Sequence, residues 1–250
     1  MTWLAPVIAD IATLARPALF NLYFAAVSIP LGFGLAILVA LAKSSRSRTL
    51  SSLARLYIYF FRGSPFFIQL FAFYALMLSF NISMWRPLHI DGLVLHPLFL
   101  GPAILALNTT AYTAEIFHGA LQAVPRGEVE AARAFGLSPA QRFRSVIWPN
   151  LIRIAWPAYT NEVVFLFQAT ALIYFTLPVV GEQKDLMNKA GELFKADYNV
   201  FLHFSVAALY FLAISLLIFY LFGLVYRRLT RHMPRAPMRF TFRRGLSGSP

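Results

Sequence analysis

The feature that most constrains this chain is a series of five long stretches without a charged residue. They cover residues 17–42, 63–85, 92–114, 163–181 and 198–226 of the 250-residue sequence. A helix needs about 20 residues to cross the roughly 30 Å hydrocarbon core of a bilayer. Hydrophobic residues make up 59% of the sequence and charged residues 13%, against roughly 25% charged in soluble domains. The sequence therefore predicts an all-α membrane protein with about five transmembrane helices, near 19–42, 65–82, 98–120, 155–179 and 201–226.

The basic residues are distributed unequally between these stretches. Five, five and seven of the 22 Lys and Arg residues lie in 43–65, 121–154 and 227–250. Because cytosolic loops are enriched in Lys and Arg, this pattern predicts a periplasmic N-terminus and a cytosolic C-terminus. An odd number of spans agrees with this prediction, because it places the two termini on opposite sides of the membrane. The net charge of +12 then indicates topology, and nucleic acid is not an expected partner.

The rest of the sequence predicts a simple domain organisation. We expect one transmembrane domain over 1–230, with a cytosolic loop at about 122–153, followed by a basic, disordered tail over 231–250. The polar segment 182–198 is predicted to lie outside the cell membrane. The chain has no cysteine, and its five His residues show no metal-binding spacing, so we expect neither disulfides nor a metal site.

Local signals in the longest cytosolic loop predict two short helices joined by a glycine. Ala131 and Ala132 are strong helix formers, and Gly136 suits the left-handed position that ends a helix. Ser138 and Gln141 have the spacing of a capping box at the start of a second helix. Two interpretations are open from local physics: a compact elbow that projects into the cytosol, or a solvated loop that lies against the headgroups.

This loop resembles the cytosolic loop of the membrane subunits of ATP-binding-cassette (ABC) importers. That family carries Glu-Ala-Ala, three residues, Gly, nine residues and then an Ile-x-Leu-Pro ending. The spacing is kept here, with Val for Ile and Trp for Leu, by Glu130-Ala131-Ala132, Gly136 and Val146-Ile147-Trp148-Pro149. The segments 61–65 and 112–117 narrow the resemblance to polar amino-acid permeases. Residues 156–167 look most like the M-type subunit of histidine, other basic amino-acid and opine permeases.

The resemblance implies a type I ABC importer permease fold in the bacterial inner membrane, and a function in alternating-access import of polar, above all basic, amino acids or opines. It implies three partners: an ATPase dimer that binds ATP and Mg, a homologous second permease subunit and a periplasmic substrate-binding protein. The chain itself is expected to be a transport subunit that binds no cofactor and catalyses no reaction. It lacks a Gly-x4-Gly-Lys-Ser/Thr phosphate loop, so ATP hydrolysis is expected on a separate ATPase chain. ATPase coupling is assigned by the resemblance to Glu130, Ala131, Ala132 and Gly136.

Two acids, Glu115 and Glu162, lie inside the predicted spans, at one level in the cytosolic half. Ionisable residues in a membrane are costly and often mark a polar pathway. Either each carboxylate is locked to backbone N–H groups or to an arginine such as Arg62 or Arg153, or both take part in substrate passage. A different class of function, an ion-coupled carrier or an intramembrane hydrolase, would also use Glu115 and Glu162.

Further polar residues are predicted near the midplane, where transporter sites tend to lie. They are Asn108 and Thr109 on the third span, and Gln168 and Thr170 on the fourth. They line a substrate path or hold helices together by hydrogen bonds. Many relatives carry a Lys and an acid where this chain has Gln168-Ala169, so the resemblance predicts a heterodimer whose second subunit supplies the charge.

Overall fold

The structure is a computed structural model that describes residues 4–80, 84–178 and 184–231. In this part of the chain every regular element is a helix. The α-helices, in chain order, are α1 (Leu4–Lys43), α2 (Arg48–Gly63), α3 (Phe66–Ser79), α4 (Asp91–Val94), α5 (Pro97–Ala123), α6 (Arg126–Ala134), α7 (Pro139–Arg142), α8 (Trp148–Ala169), α9 (Leu186–Asp197) and α10 (Val200–Thr230). A π-helical segment, Phe143–Ile147, precedes α8, and a 3₁₀ segment, Thr170–Phe175, follows it.

A helix lies at each of the five predicted spans, but α1 is much longer than predicted. It has 40 residues, which at 1.5 Å per residue gives about 60 Å, twice the hydrocarbon thickness. The sequence predicts a start near residue 19 because the charge-free stretch begins only after Arg16, and Asp10 lies still earlier. Those charges do not end the helix, because Arg16 lies on its exposed surface and Asp10 pairs with His203.

The predicted second span is too short to cross a membrane by itself. α3 has 14 residues, about 21 Å, and it follows α2 with a bend of 110°. By length and hydropathy, two helices of the described chain qualify as membrane spans, Ala5–Lys43 and Val200–Thr230; the bent α2–α3 pair makes a third if it counts as one span.

The fourth predicted span is displaced. α8 begins at residue 148 instead of 155, and its α-helix ends at 169 instead of 179. The reason is continuity: α7 runs through the π-helical segment into α8 without a break, so helical structure begins well before residue 155. The fifth predicted span corresponds to α10. Residues 232–250 lie outside the described residues, and the disordered tail stays a prediction.

The centre of the fold is the contact between α1 and α5. It is close because Gly32 has no side chain: a Cβ there would lie 2.3 Å from Thr109 Cγ2 and 3.3 Å from the Ala106 carbonyl. Below this crossing, aromatic rings from α1, α5 and α8 meet edge to face, with Phe33 5.2 Å from both Phe117 and Tyr159 between centroids. These rings fix the relative positions of the three helices that carry the candidate site.

Candidate coupling and translocation sites

The predicted elbow forms as two helices joined at Gly136. We call residues 126–142 the coupling elbow. Gly136 has φ +77°, the left-handed conformation that its sequence position predicted. The Leu137 N–H donates to the Ala132 carbonyl and the Gly136 N–H to the Arg133 carbonyl, which together form a complete Schellman motif. The end of α6 is therefore closed by its own backbone.

The second helix of the elbow begins with the predicted capping box. Ser138 Oγ accepts from the Gln141 N–H at 3.4 Å, and Gln141 Oε1 accepts from the Ser138 N–H at 2.9 Å. α7 continues through the π-helical segment into α8, so the elbow is joined to α8 by continuous helical structure.

One side-chain contact joins the elbow to α8. Asn150 Nδ2 donates to Glu128 Oε2 at 2.5 Å, and Asn150 Oδ1 accepts from Arg153 at 3.3 Å. Arg153 is thus engaged by an amide and not by an intramembrane acid. Sequence reasoning missed the Glu128–Asn150 contact, because the two residues are 22 positions apart.

The exposed side of the elbow carries most of the residues that the family pattern assigns to coupling. Glu130, Ala131 and Gly136 are exposed, whereas Ala132 is buried against the rest of the protein. Phe135, which precedes the glycine, is 83% exposed. Beside α6 lies an open cavity of about 550 Å³ that Glu130 helps to line.

Glu162 is buried and accepts a hydrogen bond across two helices. Thr109 Oγ1 on α5 donates to Glu162 Oε1 at 2.9 Å, and the two residues are 4% and 8% exposed. The structure thus brings two of the predicted path residues together. The contact lies beside Gly32, since Thr109 Cγ2 occupies the space that a side chain there would need.

Glu115 has a partner that we did not predict. Lys43, the last residue of α1, pairs with Glu115 Oε2 at 2.5 Å. Arg62, one of the predicted partners, instead lies over the Tyr112 ring, 5.3 Å from its centroid. The available signal was position: Lys43 ends the first span on the same side as Glu115.

Asn108 contacts a residue that sequence reasoning missed. Its Nδ2 donates to Gln69 Oε1 at 2.8 Å, and Gln69 Nε2 donates to the Phe61 carbonyl at 2.7 Å and to the Ser64 carbonyl at 2.9 Å. Gln69 therefore joins α5 to the bend between α2 and α3. It lies in a charge-free stretch, and no local pattern distinguishes it.

The two predicted path residues at the end of the fourth predicted span have different surroundings. Thr170 is fully buried; it donates to the Phe167 carbonyl and accepts from Asn21 Nδ2 at 3.0 Å. Asn21 Oδ1 in turn accepts from the Leu186 N–H, so this group joins α1, the 3₁₀ segment after α8, and α9. Gln168 is exposed, with a 3.4 Å contact to Ser215.

Gln168 is part of an exposed row along α8. Exposed side chains recur every three or four residues, which places them on one face of the helix. They are Ile154, Ala158, Asn161, Phe165 and Gln168. Two of these, Asn161 and Gln168, carry amides whose exposed hydrogen-bonding groups would be costly to place in lipid.

On the side that the sequence predicts to be external, the ends of α1, α9 and α10 meet at a histidine between two carboxylates. His203 Nδ1 contacts Asp10 Oδ2 at 2.5 Å, and His203 Nε2 contacts Asp197 Oδ1 at 2.8 Å. We call these three residues the external clasp. The Asn199 N–H and His203 hold the pKa of Asp197 below its ordinary value. The ring nitrogens contact different acids, and among the described residues no group of His, Asp or Glu side chains is placed to hold a metal.

Helix α9, which the sequence predicts to lie outside the membrane, contains further charged groups. Asp185 caps its first turn by accepting from the Asn188 N–H at 2.8 Å, and burial raises the pKa of Asp185 to about 6. Glu192 pairs with Lys184 and with Lys189, and the hydrogen bond from Lys184 is the main cause that lowers the pKa of Glu192.

Comparison with known proteins places these features in one family. The family model described as "Binding-protein-dependent transport system inner membrane component" matches residues 28–231. The histidine/lysine/arginine/ornithine transport system permease protein HisM of Salmonella typhimurium is 37% identical over 207 residues, 82% of this chain and 85% of HisM. The nopaline transport system permease protein NocM of Agrobacterium fabrum is 35% identical over 224 residues, 88% of each chain.

Comparison with a solved structure identifies the fold. It is described as "Crystal structure of an amino acid ABC transporter with histidines", and it matches with a TM-score of 0.70 and 27% identity over 91% of this chain and 96% of its own. This is the type I ABC permease fold that the elbow pattern predicted. The match of the family model to most of the sequence shows that the chain belongs to the inner membrane components of binding-protein-dependent transport systems.

Proposed function

We propose that this chain is the membrane subunit of an ATP-driven importer for basic amino acids or opines. The observation that carries the proposal is the coupling elbow, a capped and exposed pair of helices continuous with α8, at the position of the family's coupling loop. The names of HisM and NocM, which align with most of the chain, supply the substrate class.

The proposed assembly contains an ATPase dimer, a periplasmic binding protein and a second permease subunit. ATP and Mg would bind to the ATPase, whose groove would take the elbow with Glu130, Ala131, Ala132 and Gly136. The row on α8 supports the second subunit: Asn161 and Gln168 are exposed in the isolated chain, and burying them against another protein removes the cost of facing lipid.

We further propose the predicted topology, with five crossings in a bacterial inner membrane. The N-terminus and α9 would be periplasmic, and the elbow and the C-terminus cytosolic. The distribution of Lys and Arg supports this orientation. The bent pair α2–α3 would supply one crossing, with α2 lying along the cytosolic surface of the membrane.

The proposed substrate path passes between α5 and α8. Thr109 and Glu162 would form its centre, because opening their 2.9 Å contact frees a carboxylate that can receive a cationic side chain. Asn108 would exchange its contact with Gln69 for one with substrate, and Gln168 would face the path from the exposed side of α8. Thr170 and Glu115 would form its outer and inner ends.

The ion-coupled carrier and the intramembrane hydrolase are not favoured. The relatives HisM and NocM are permease proteins of transport systems, and the family model describes a component that works with a binding protein. The structure also gives Glu115 and Glu162 separate partners, Lys43 and Thr109.

Reconstituted uptake tests the proposal. Proteoliposomes containing this chain, its sister permease and its ATPase would receive arginine, histidine or octopine with the binding protein outside. We expect uptake that requires ATP inside and the binding protein outside. Uptake driven by a proton gradient without ATP would overturn the proposal in favour of the carrier.

The path is tested by Gly32→Ala with Gly34→Ala as the matched control. The new Cβ at position 32 would displace Thr109 Cγ2, and a Thr rotamer change also moves Oγ1 away from Glu162. A Cβ at Gly34 meets nothing within 4 Å. We expect at least a fivefold loss of arginine uptake for Gly32→Ala and less than twofold for Gly34→Ala. Equal uptake by both variants, at equal protein levels, would remove this contact from the path.

A further inference from the structure

Three arginines form one row along α2. Arg48, Arg55 and Arg62 are seven residues apart, so each lies nearly two turns from the next and on the same side of the helix. All three are exposed. The row covers about 21 Å, the length of 14 residues at 1.5 Å each.

The adjacent face of α2 is apolar and exposed. It consists of Leu50, Leu53, Leu56, Tyr59 and Phe60, which are 47–78% exposed, while the opposite face packs on α1 and α5. A helix with a basic edge beside an exposed apolar face is typical of one lying in the headgroup region. The 110° bend to α3 supports this, because it places α2 across the direction in which α3 enters the membrane.

The end of the row nearest the bend opens into a cavity of about 350 Å³. It is lined by Lys43, Arg55, Arg62 and Glu115 together with Ile58 and Tyr59. Three cations and one carboxylate give this cavity a formal charge of +2. Lys43 lies 2.5 Å from Glu115 and neutralises it, so the excess charge belongs to the two arginines.

Neither arginine is paired with a carboxylate in the described part of the chain. Arg55 Nη2 donates to Ser51 Oγ at 2.9 Å, and Arg62 lies over the Tyr112 ring. Both contacts leave other N–H groups of each guanidinium available, and the planar fork of a guanidinium matches phosphate oxygens. Two such groups facing one open cavity form a site for a phosphate-sized anion.

We propose that this cavity binds the phosphate of an anionic phospholipid from the cytosolic leaflet. Arg55 and Arg62 would hold the headgroup, while the acyl chains follow the apolar face of α2. The inference rests on the proposed orientation, which places α2 at the cytosolic surface. The lipid is favoured over a free anion because an exposed apolar face adjoins the cavity, and over a zwitterionic amino acid because Lys43 already neutralises Glu115.

Lipid bound there would act on the transport path through α5. Arg62 contacts Tyr112, which lies on α5 between Thr109 and Glu115. Because a bound headgroup would restrain Arg62, it would also restrain the packing of α2 against α5. We therefore expect anionic lipid to change the rate of uptake through this contact.

The test is lipid retention by the purified importer complex, measured by native mass spectrometry after exchange into mixed phosphatidylglycerol and phosphatidylcholine. Arg55→Gln with Arg62→Gln should reduce phosphatidylglycerol retention at least tenfold, and the corresponding Lys substitutions by less. Arg46→Gln with Arg48→Gln is the control, since it removes the same charge outside the cavity; we expect less than a twofold change. Equal losses in both double variants would overturn the site in favour of diffuse charge attraction.

Competition experiments distinguish phosphatidylglycerol from two other possible ligands of the cavity, inorganic phosphate and arginine. Inorganic phosphate at millimolar concentration should leave phosphatidylglycerol bound; full displacement would identify a free-anion site and overturn the lipid assignment. Displacement by arginine would identify an amino-acid site instead. Retention is measured without transport, so a failure of the lipid site is separate from a failure of the importer proposal.

Discussion

The coupling elbow and the external clasp are held together in opposite ways. The elbow is closed by bonds between residues three to five positions apart, such as Gly136 to Arg133 and Leu137 to Ala132. The clasp joins Asp10 to His203 across 193 positions, and nearby Asn21 contacts Leu186 across 165. The elbow can therefore form as soon as its own residues are helical, whereas the clasp requires α1, α9 and α10 to be in place.

Because of this difference, we expect substitutions at the two ends of the protein to have different effects. A locally closed elbow keeps its shape when its surroundings move, which is what a part that transmits force between proteins needs. The clasp and the Asn21 contacts instead hold helices that are distant in the sequence at fixed positions. Substitutions in the elbow should affect coupling more than stability, and substitutions in the clasp should do the reverse.

The largest effect is expected for Gly136→Val in the elbow. At φ +77° a β-branched residue is strained, so the turn between α6 and α7 would change its geometry. We expect uptake to fall at least tenfold in proteoliposomes while the protein level stays normal. Gly127→Val is the matched control, because Gly127 lies in α6 and a Cβ there meets nothing within 4 Å. Wild-type uptake and stimulated ATP hydrolysis in Gly136→Val would contradict the coupling role.

The clasp should show a stability effect without uncoupling. Asp10→Ala leaves His203 Nδ1 buried without its acid, and we expect the free energy of unfolding to fall by about 2 kcal/mol. Denaturant titration followed by tryptophan fluorescence measures it, and uptake per ATP hydrolysed should not change. Asp197→Ala should cost less, because that side chain is 51% exposed.

A double substitution tests whether the stabilising effects of Asp10 and His203 depend on each other. If Asp10 and His203 stabilise the protein through each other, Asp10→Ala with His203→Ala should cost less than the sum of the two single substitutions. Additive losses would mean that the clasp is not a coupled unit, and the contrast with the elbow would no longer hold.

The same contrast explains which parts of the structure the sequence could predict. The Gly136 turn and the Ser138 capping box were predictable because their determinants lie within a few residues. The Lys43–Glu115 and Asn108–Gln69 contacts were not, because each depends on how two distant helices pack. A charge was also a poor guide to a helix end: the acid at position 10 lies inside α1, where a histidine 193 residues later pairs with it.

The smallest effects are expected at two helix caps, one in the elbow and one near the clasp. Ser138 is an exposed cap in the elbow, whereas Asp185 is a buried cap whose pKa is raised to about 6. A raised carboxyl pKa means that the folded state binds the proton more tightly than the unfolded chain does. The stabilisation from Asp185 is therefore complete below its ordinary pKa of 3.8 and is lost as the pH rises through about 6.

Between pH 7 and pH 5 this linkage should stabilise the protein by about 1 kcal/mol. Asp185→Asn keeps an oxygen that can accept from the Asn188 N–H but cannot titrate, so its stability should change less over the same interval. Denaturant titrations of both proteins at the two pH values measure this difference, and the contributions of other groups, including His203, cancel between them. Ser138→Ala should lower stability by about 1 kcal/mol at both pH values, because a hydroxyl cap carries no charge. If the wild type and Asp185→Asn respond equally to pH, then Asp185 is solvated in the assembled protein, and the external end is more open than the clasp implies.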